Sequence, residues 1–376
     1  MQAFFLNLCV MFRCLAILFL SSVLAACGPQ KTGSQEKDDA HSLIKYAKCI
    51  DIHETKSGII VNLHEPDANI HYQYFLGKNS QDCPKSATFI QVPIKGIITL
   101  SGTHVGMLSI LDEIDLIQGV PNGKYIYNKT LRNRLSQGKA KSLGIESGIP
   151  VESIIALNAE VLMYSGGFGT GYPKEVQLKK LGTICIPNFD WKESHPLGKA
   201  EWLLFFGYLT GKEKQAKTYL AQVEKRYLDL CQSAKKTKSR PRVFSGNLIG
   251  DVWFAPAGES FGGILMNDAG ADYAGKNTNG IGSIERSFQE VISSEKNTAF
   301  WIDPGVNSLK DLIQRDQRYR YLSAVKNKNV FCYSHDMNRF WEMSIVEPDK
   351  VLFDFIRIFH PELDLKGRMH YYKQLH

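Results

Sequence analysis

From residue 42 the chain alternates apolar and polar positions with a period of two, as in "SGIIVNLHE", "IHYQYFL" and "TFIQVPI". Successive side chains of a strand face opposite sides, so residues 42–95 are predicted to form a β-rich extension, a hairpin or small sheet. From about 94 the pattern changes to strand, loop, helix. "GIITLS" and "LIQGVPN" read as strands around the segment 104–114, "VESIIAL" as a helix, and "AEVLMYSGG" and "LGTICIPN" as further strands. Strands alternating with helices predict a parallel, doubly wound sheet.

Residues 196–236 are a long helical stretch. Within it Ala216, Tyr219, Leu220, Val223 and Tyr227 follow helical spacing, with no Pro or Gly after Gly211. The α/β pattern then restarts with "PRVFSGNL", "SFGGILMNDAG", "FQEVISS" and "TAFWIDPG". "VESIIALNAEVLMYSGG" and "FQEVISSEKNTAFWIDPG" share one plan: acidic helix start, apolar helix, polar loop, strand, glycine. The predicted architecture is therefore α/β, with two doubly wound (Rossmann-like) lobes, 96–210 and 238–376. A single linker helix at 211–237 joins them, and the β-hairpin extension precedes lobe 1.

The first residues bear on compartment. Arg13, the apolar run Leu15–Leu20 and the small residues that follow read as a secretory signal, 1–26, too short to span a membrane. Leu24-Ala25-Ala26-Cys27-Gly28 resembles the bacterial lipobox, in which the cysteine receives diacylglycerol. Cys27 is then the lipidated first residue, and the polar stretch 27–41 a flexible tether to the cell envelope. Met11 is an alternative start to Met1.

The chain carries a formal charge of +7. Its one dense basic run, "KKTKSRPR" (235–242), reads as a solvated linker end, so nucleic acid is not an expected partner. Of eight cysteines, Cys49 and Cys83 flank the β-rich segment and are candidates to pair, and Cys185 reads as buried. No Cys/His spacing points to zinc, and no cofactor or metal is expected.

Ligands of doubly wound sheets gather at the loops beyond the strand ends. Such loops hold Ser101, Gly102, Thr103 and His104, and Ser165, Gly166 and Gly167. The first group is expected to contact ligand by hydrogen bonds from a cleft rim. "GGFGTG" (166–171) lacks the lysine of a phosphate loop. Tyr125, Tyr127, Trp191, Trp253, Phe261, Trp301, Phe340 and Trp341 also fall at predicted strand ends or loops and suit a cleft for a flat or ring-containing ligand. Gly258-Glu259-Ser260-Phe261-Gly262 fits the nucleophile-elbow pattern, with Asp303 and His335 following in chain order. An exported serine hydrolase using Ser260 is thus one alternative; a cleft-lining Ser260 at the start of a helix is the other.

"ITLSGTHVGMLSILDEIDLIQGVPNGKYIYN", "GIPVESIIALNAEVLMYSGG", "PLGKAEWLLFFGYLTGKEKQA", "FAPAGESFGGILMNDAGADY" and "NRFWEMSIVEPDKVLFDFIRIFHPEL" together resemble the periplasmic substrate-binding proteins of siderophore and cobalamin ABC importers. The resemblance runs from about 42 to 376. It implies a monomeric, non-enzymatic protein that holds a ferric siderophore, haem or corrinoid between two lobes and delivers it to a permease driven by its ATPase. It also implies one glutamate on each lobe that docks on the permease: Glu152 on lobe 1, and on lobe 2 either Glu290 or, in strict register, Gln289. A lipoprotein that keeps this fold without transporting is the remaining alternative.

Overall fold

A computed structural model describes residues 42–66, 68–145, 148–167 and 171–376. The signal sequence, Cys27 and the tether lie outside the described residues.

The extension is a four-stranded sheet, the small sheet of the two expected alternatives. Strands β1 (Ile50–Glu54), β2 (Gly58–Glu65) and β3 (Ile70–Gly77) pair antiparallel, and β4 (Thr88–Gln91) adds parallel to β3. Its alternation sends Ile50, Ile52, Val61, Leu63, Tyr74 and Leu76 into the core of lobe 1. The chain entering β1 is fastened by two buried carboxylates. Glu201 accepts the backbone N–H groups of Lys45, Tyr46 and Ala47 at 2.8–2.9 Å, and Glu193 those of Lys48 and Cys49 at 2.7 and 2.8 Å. Gly198 makes this approach possible, since a Cβ there would lie 2.9 Å from the Ala47 nitrogen. Cys49 and Cys83 are both free, so the expected pairing is not present.

Lobe 1 contains β5 (Ile97–Thr99), β6 (Ile117–Val120), β7 (Lys141–Ser142), β8 (Val161–Ser165) and β9 (Ile184–Asn188), all parallel, in the order β7-β6-β5-β8-β9. Its helices are α1 (Gly102–Ile110), α2 (Lys129–Ser136), α3 (Val151–Ile155) and α4 (Glu175–Lys180). The strand order reverses between β5 and β8, which is where a doubly wound sheet opens a crevice.

The helical stretch is two helices. All of α5 (Pro196–Thr210) is buried; Pro196 opens it, and it stops at Gly211, whose φ of 72° is left-handed. Then α6 (Glu213–Lys235) passes from one core to the other. Its Ala216, Tyr219 and Leu220 pack on lobe 1, while Val223, Tyr227 and Ala234 belong to the core of lobe 2.

Lobe 2 contains β10 (Arg242–Ser245), β11 (Asn247–Ile249), β12 (Val252–Pro256), β13 (Asp272–Tyr273), β14 (Ser283–Ser287), β15 (Phe300–Ile302), β16 (Val330–Cys332) and β17 (Lys373–Gln374). The main sheet runs β13-β10-β15-β16-β17, parallel except for β17, and β11-β12-β14 form a small antiparallel sheet beside it. The helices are α7 (Phe261–Asp268), α8 (Phe288–Ser294), α9 (Leu309–Arg315), α10 (Ser323–Lys326), α11 (Met337–Met343) and α12 (Pro348–Phe359). The order reverses here between β10 and β15. The two halves of the internal repeat occupy matching places, because β8 and β15 each pair parallel with the first strand of their own sheet.

The linker helix is not the only bridge. Helix α11, although it follows β16 of lobe 2, packs on α1 of lobe 1 so closely that a Cβ on Gly106 would collide with the Glu342 carbonyl oxygen. The buried Glu342 carboxyl accepts the backbone N–H groups of Tyr127 (2.8 Å) and Asn128 (3.0 Å). Ile345 and Val346, just after α11, join the core of lobe 1.

Candidate ligand-binding cleft

Both strand-order reversals open on one cavity of about 700 Å³. Ser101 and Ser165 reach it from the ends of β5 and β8, and Ser245 and Asp303 from the ends of β10 and β15. The position follows from chain direction. In a parallel sheet every strand ends on the same edge, and the helices leaving a reversal point diverge and leave a gap.

The lobe 1 wall is polar and internally satisfied. Ser101 caps α1 by accepting the Thr103 N–H at 3.3 Å. The Thr103 hydroxyl donates to the buried Asp190 carboxylate at 2.8 Å. Lys199 donates to the backbone carbonyls of Asp190 (3.1 Å) and Trp191 (2.7 Å). Burial pushes the Asp190 carboxyl up to about 6, against relief from Thr103 and Lys199. The same burial pushes the Lys199 ammonium down to about 8, since each charged form loses hydration.

The lobe 2 wall is largely apolar, with Pro256, Phe261, Leu265, Met266, Val351 and Phe355 among its residues. The segment around α11 supplies an aromatic group. Tyr333 stacks on Phe340 with centroids 3.8 Å apart and 6° between planes, and Trp341 stands edge-on to Phe340 at 5.6 Å. Trp341 is 57 % exposed and forms a lip.

Of the residues singled out from sequence, Ser101, Thr103, Ser165, Trp191, Ser260, Phe261, Gly262, Asp303, Phe340 and Trp341 line this cavity. Gly166, Tyr125, Tyr127, Trp253, Trp301 and His104 do not. Gly166 sits behind the wall, its carbonyl accepting the Trp191 indole N–H at 2.8 Å. Tyr125 is 68 % exposed in a turn away from the cavity, and Tyr127 is held through its backbone by Glu342. Trp253 and Trp301 are fully buried in lobe 2, their indoles donating to the carbonyls of Ser245 (3.1 Å) and Gly246 (2.9 Å). They brace the strand end from behind instead of facing ligand. His104 lies on the inner face of α1 against Phe206, and neither ring nitrogen has a partner. Burial pushes it down to about 3, so the ring is neutral.

Sequence reasoning missed Asp190, Lys199, Ser245, Tyr333 and Tyr372. Ser245 lies in the segment read as the first strand of lobe 2 and Asp190 falls two residues after the strand read in "LGTICIPN", so a signal was present for both; Tyr333 follows β16, which was not anticipated, and Lys199 is brought in by a helix.

Ser260 is the N-cap of α7. Its hydroxyl donates to the Ala257 carbonyl at 2.7 Å and accepts the Gly263 N–H at 3.2 Å. The hydroxyl is thus occupied by the backbone, which is cap geometry and not that of a nucleophile beside a base.

Glu152 is exposed in the first turn of α3, and Gln289 and Glu290 are exposed on α8. Ser287 is the N-cap of α8, its hydroxyl accepting the Glu290 N–H at 3.1 Å. The Glu290 carboxylate pairs with Arg286 at 2.8 Å.

Residues 97–336 match the profile of the family described as periplasmic binding protein. This chain belongs to that family. A relative of this family member, an uncharacterized lipoprotein of Methanocaldococcus jannaschii, is 28 % identical over 353 residues, covering 87 % of this chain and 83 % of its own. Solved structures of similar fold include a possible iron-binding periplasmic solute-binding protein of Staphylococcus epidermidis (TM-score 0.56, 18 % identity, 71 % of this chain and 99 % of that one). A periplasmic haem-binding protein of Pseudomonas aeruginosa is similar as well (TM-score 0.56, 15 % identity, 75 % and 98 %).

Proposed function

We propose that this periplasmic binding protein is held to the envelope through a lipid on Cys27, captures a ferric siderophore, haem or corrinoid between its lobes, and hands it to an ABC permease. The observation that carries the reading is the 700 Å³ cavity lying at the reversal points of both sheets at once. A cavity of that size suits a ligand with a rigid ring or chelate core, and its aromatic lip and apolar floor offer area for desolvating one. The M. jannaschii lipoprotein supports the anchor, and the iron- and haem-binding neighbours support the ligand class. Exposed Glu152 and Glu290, one on each lobe, are the residues assigned to permease docking, with Glu290 released from Arg286 on contact.

The test is a thermal-shift panel on the chain starting at residue 28, with cobalamin, cobinamide, haem and a set of ferric siderophores. A ligand at 100 times its Kd adds about 2.7 kcal/mol to stability. A clear upward shift with one class is expected; no shift with any of them counts against the reading.

A further inference from the structure

The cavity has an uneven set of charges. Among its described lining residues are two carboxylates, Asp190 and Asp303, one cation, Lys199, and neither arginine nor histidine. On lobe 1 the charges are already answered, Asp190 by Thr103 and the Lys199 ammonium by two carbonyls. On lobe 2 they are not. Asp303 Oδ2 accepts the Tyr372 hydroxyl at 3.0 Å, but Oδ1 is shielded from solvent and has no partner. Ser245 is 2 % exposed, and its hydroxyl also has no partner. The two residues belong together, since Ser245 pairs with Ile302 across β10 and β15, immediately before Asp303.

The groups facing Asp303 are Tyr372, the Tyr333 ring and backbone N–H, Tyr273 and Cys332; the Tyr333 N–H lies near the carboxyl without bonding geometry to Oδ1, and none of these groups is a cation. Burial raises the Asp303 carboxyl above the usual range, and a cation beside it would favour the ionised, accepting form. A buried acceptor left open costs stability unless something fills it. An anion placed here would meet a carboxylate with no guanidinium to offset it, whereas an ammonium or amide N–H would complete the site.

We infer that the cleft selects a neutral or cationic ligand which presents an N–H donor to Asp303 Oδ1 and Ser245 Oγ, its ring or chelate core lying along the aromatic lip. This rests on the interlobe binding reading and narrows its cargo. Amide-bearing corrinoids and ferric hydroxamates with a free ammonium have this chemistry; polyanionic chelates do not.

The test is calorimetric titration of the chain from residue 28 with four probes: cobinamide, ferrioxamine B, haem and a ferric tris-catecholate. Each is titrated into the native chain, Asp303→Asn and Ser245→Ala, with melting curves to verify folding. D303N keeps an acceptor for Tyr372 while turning the open position into a donor. Binding of cobinamide or ferrioxamine B, weakened at least about tenfold in D303N and also weakened in S245A, is the expected result. Tight binding of haem or the catecholate, unchanged or strengthened in D303N, overturns the inference while leaving interlobe binding intact. Binding of none of the four removes the transport reading, and the inference falls with it.

Discussion

His104 and Glu342 are both buried, yet their environments make opposite demands. The His104 imidazole has two unpartnered nitrogens, so a leucine in its place removes a desolvation cost of about 1–3 kcal/mol. His104→Leu is expected to match or exceed native stability in urea and to leave ligand affinity unchanged; a large drop in either would return His104 to the site. Glu342 is answered by two N–H donors, yet burial still pushes it up to about 7. Asp190 and Asp354 are pushed up to about 6 by burial as well. A raised carboxyl favours the protonated folded state. That contribution is complete below the ordinary carboxylate range and is lost as pH rises through these values. The contribution of these carboxyls should therefore fall between about pH 4 and about pH 7, outweighing the opposite rise from the depressed His104, and Glu342→Gln should flatten the slope. A melting temperature that rises across that window in the native chain contradicts this assignment.

At the scale of elements, the contact between α1 and α11 is the strongest constraint the sequence concealed. Gly106 lies inside a helix, where glycine is normally unfavourable, and the Glu342 backbone explains it. Gly106→Ala is expected to lose about 1–3 kcal/mol from overpacking and to expose residues 334–347 to limited proteolysis; native-like protection there would show that the clasp is not tight. The strand and helix segments were legible because their periods are local. Strand β1 and the docking of α11 were not, because each depends on a partner distant in the chain; the break at Gly211 falls where the linker was expected to begin, since a left-handed glycine ends a helix locally. The aromatic residues show the same limit. Trp253 and Trp341 were both expected at the cleft from their places in the pattern, but one braces a strand from behind and the other forms the lip.

At the scale of the whole molecule, α6 and the α11 segment both connect the lobes among the described residues, and each sends side chains into both cores. Hinge bending opens such a pair only by breaking core contacts, so closure is small. Small-angle scattering should show a change in radius of gyration below about 1 Å on ligand binding; a shift of several ångströms would contradict the double bridge. The paired sheets and the ligand-bearing edge could be anticipated from the repeating strand–helix pattern and the rule of reversal points. The identity of the polar wall could not, because Asp190, Lys199 and Asp303 meet only after folding.

Hydrogen exchange tests the central claim, capture between the lobes, most directly. The chain from residue 28 would be followed with and without saturating cobinamide, ferrioxamine B or haem. The account predicts protection, with one of these ligands, concentrated in residues 99–106, 188–192, 243–247, 301–305 and 331–346. Protection confined to the β-sheet extension at 50–91, or no protection with any of the three, would contradict it.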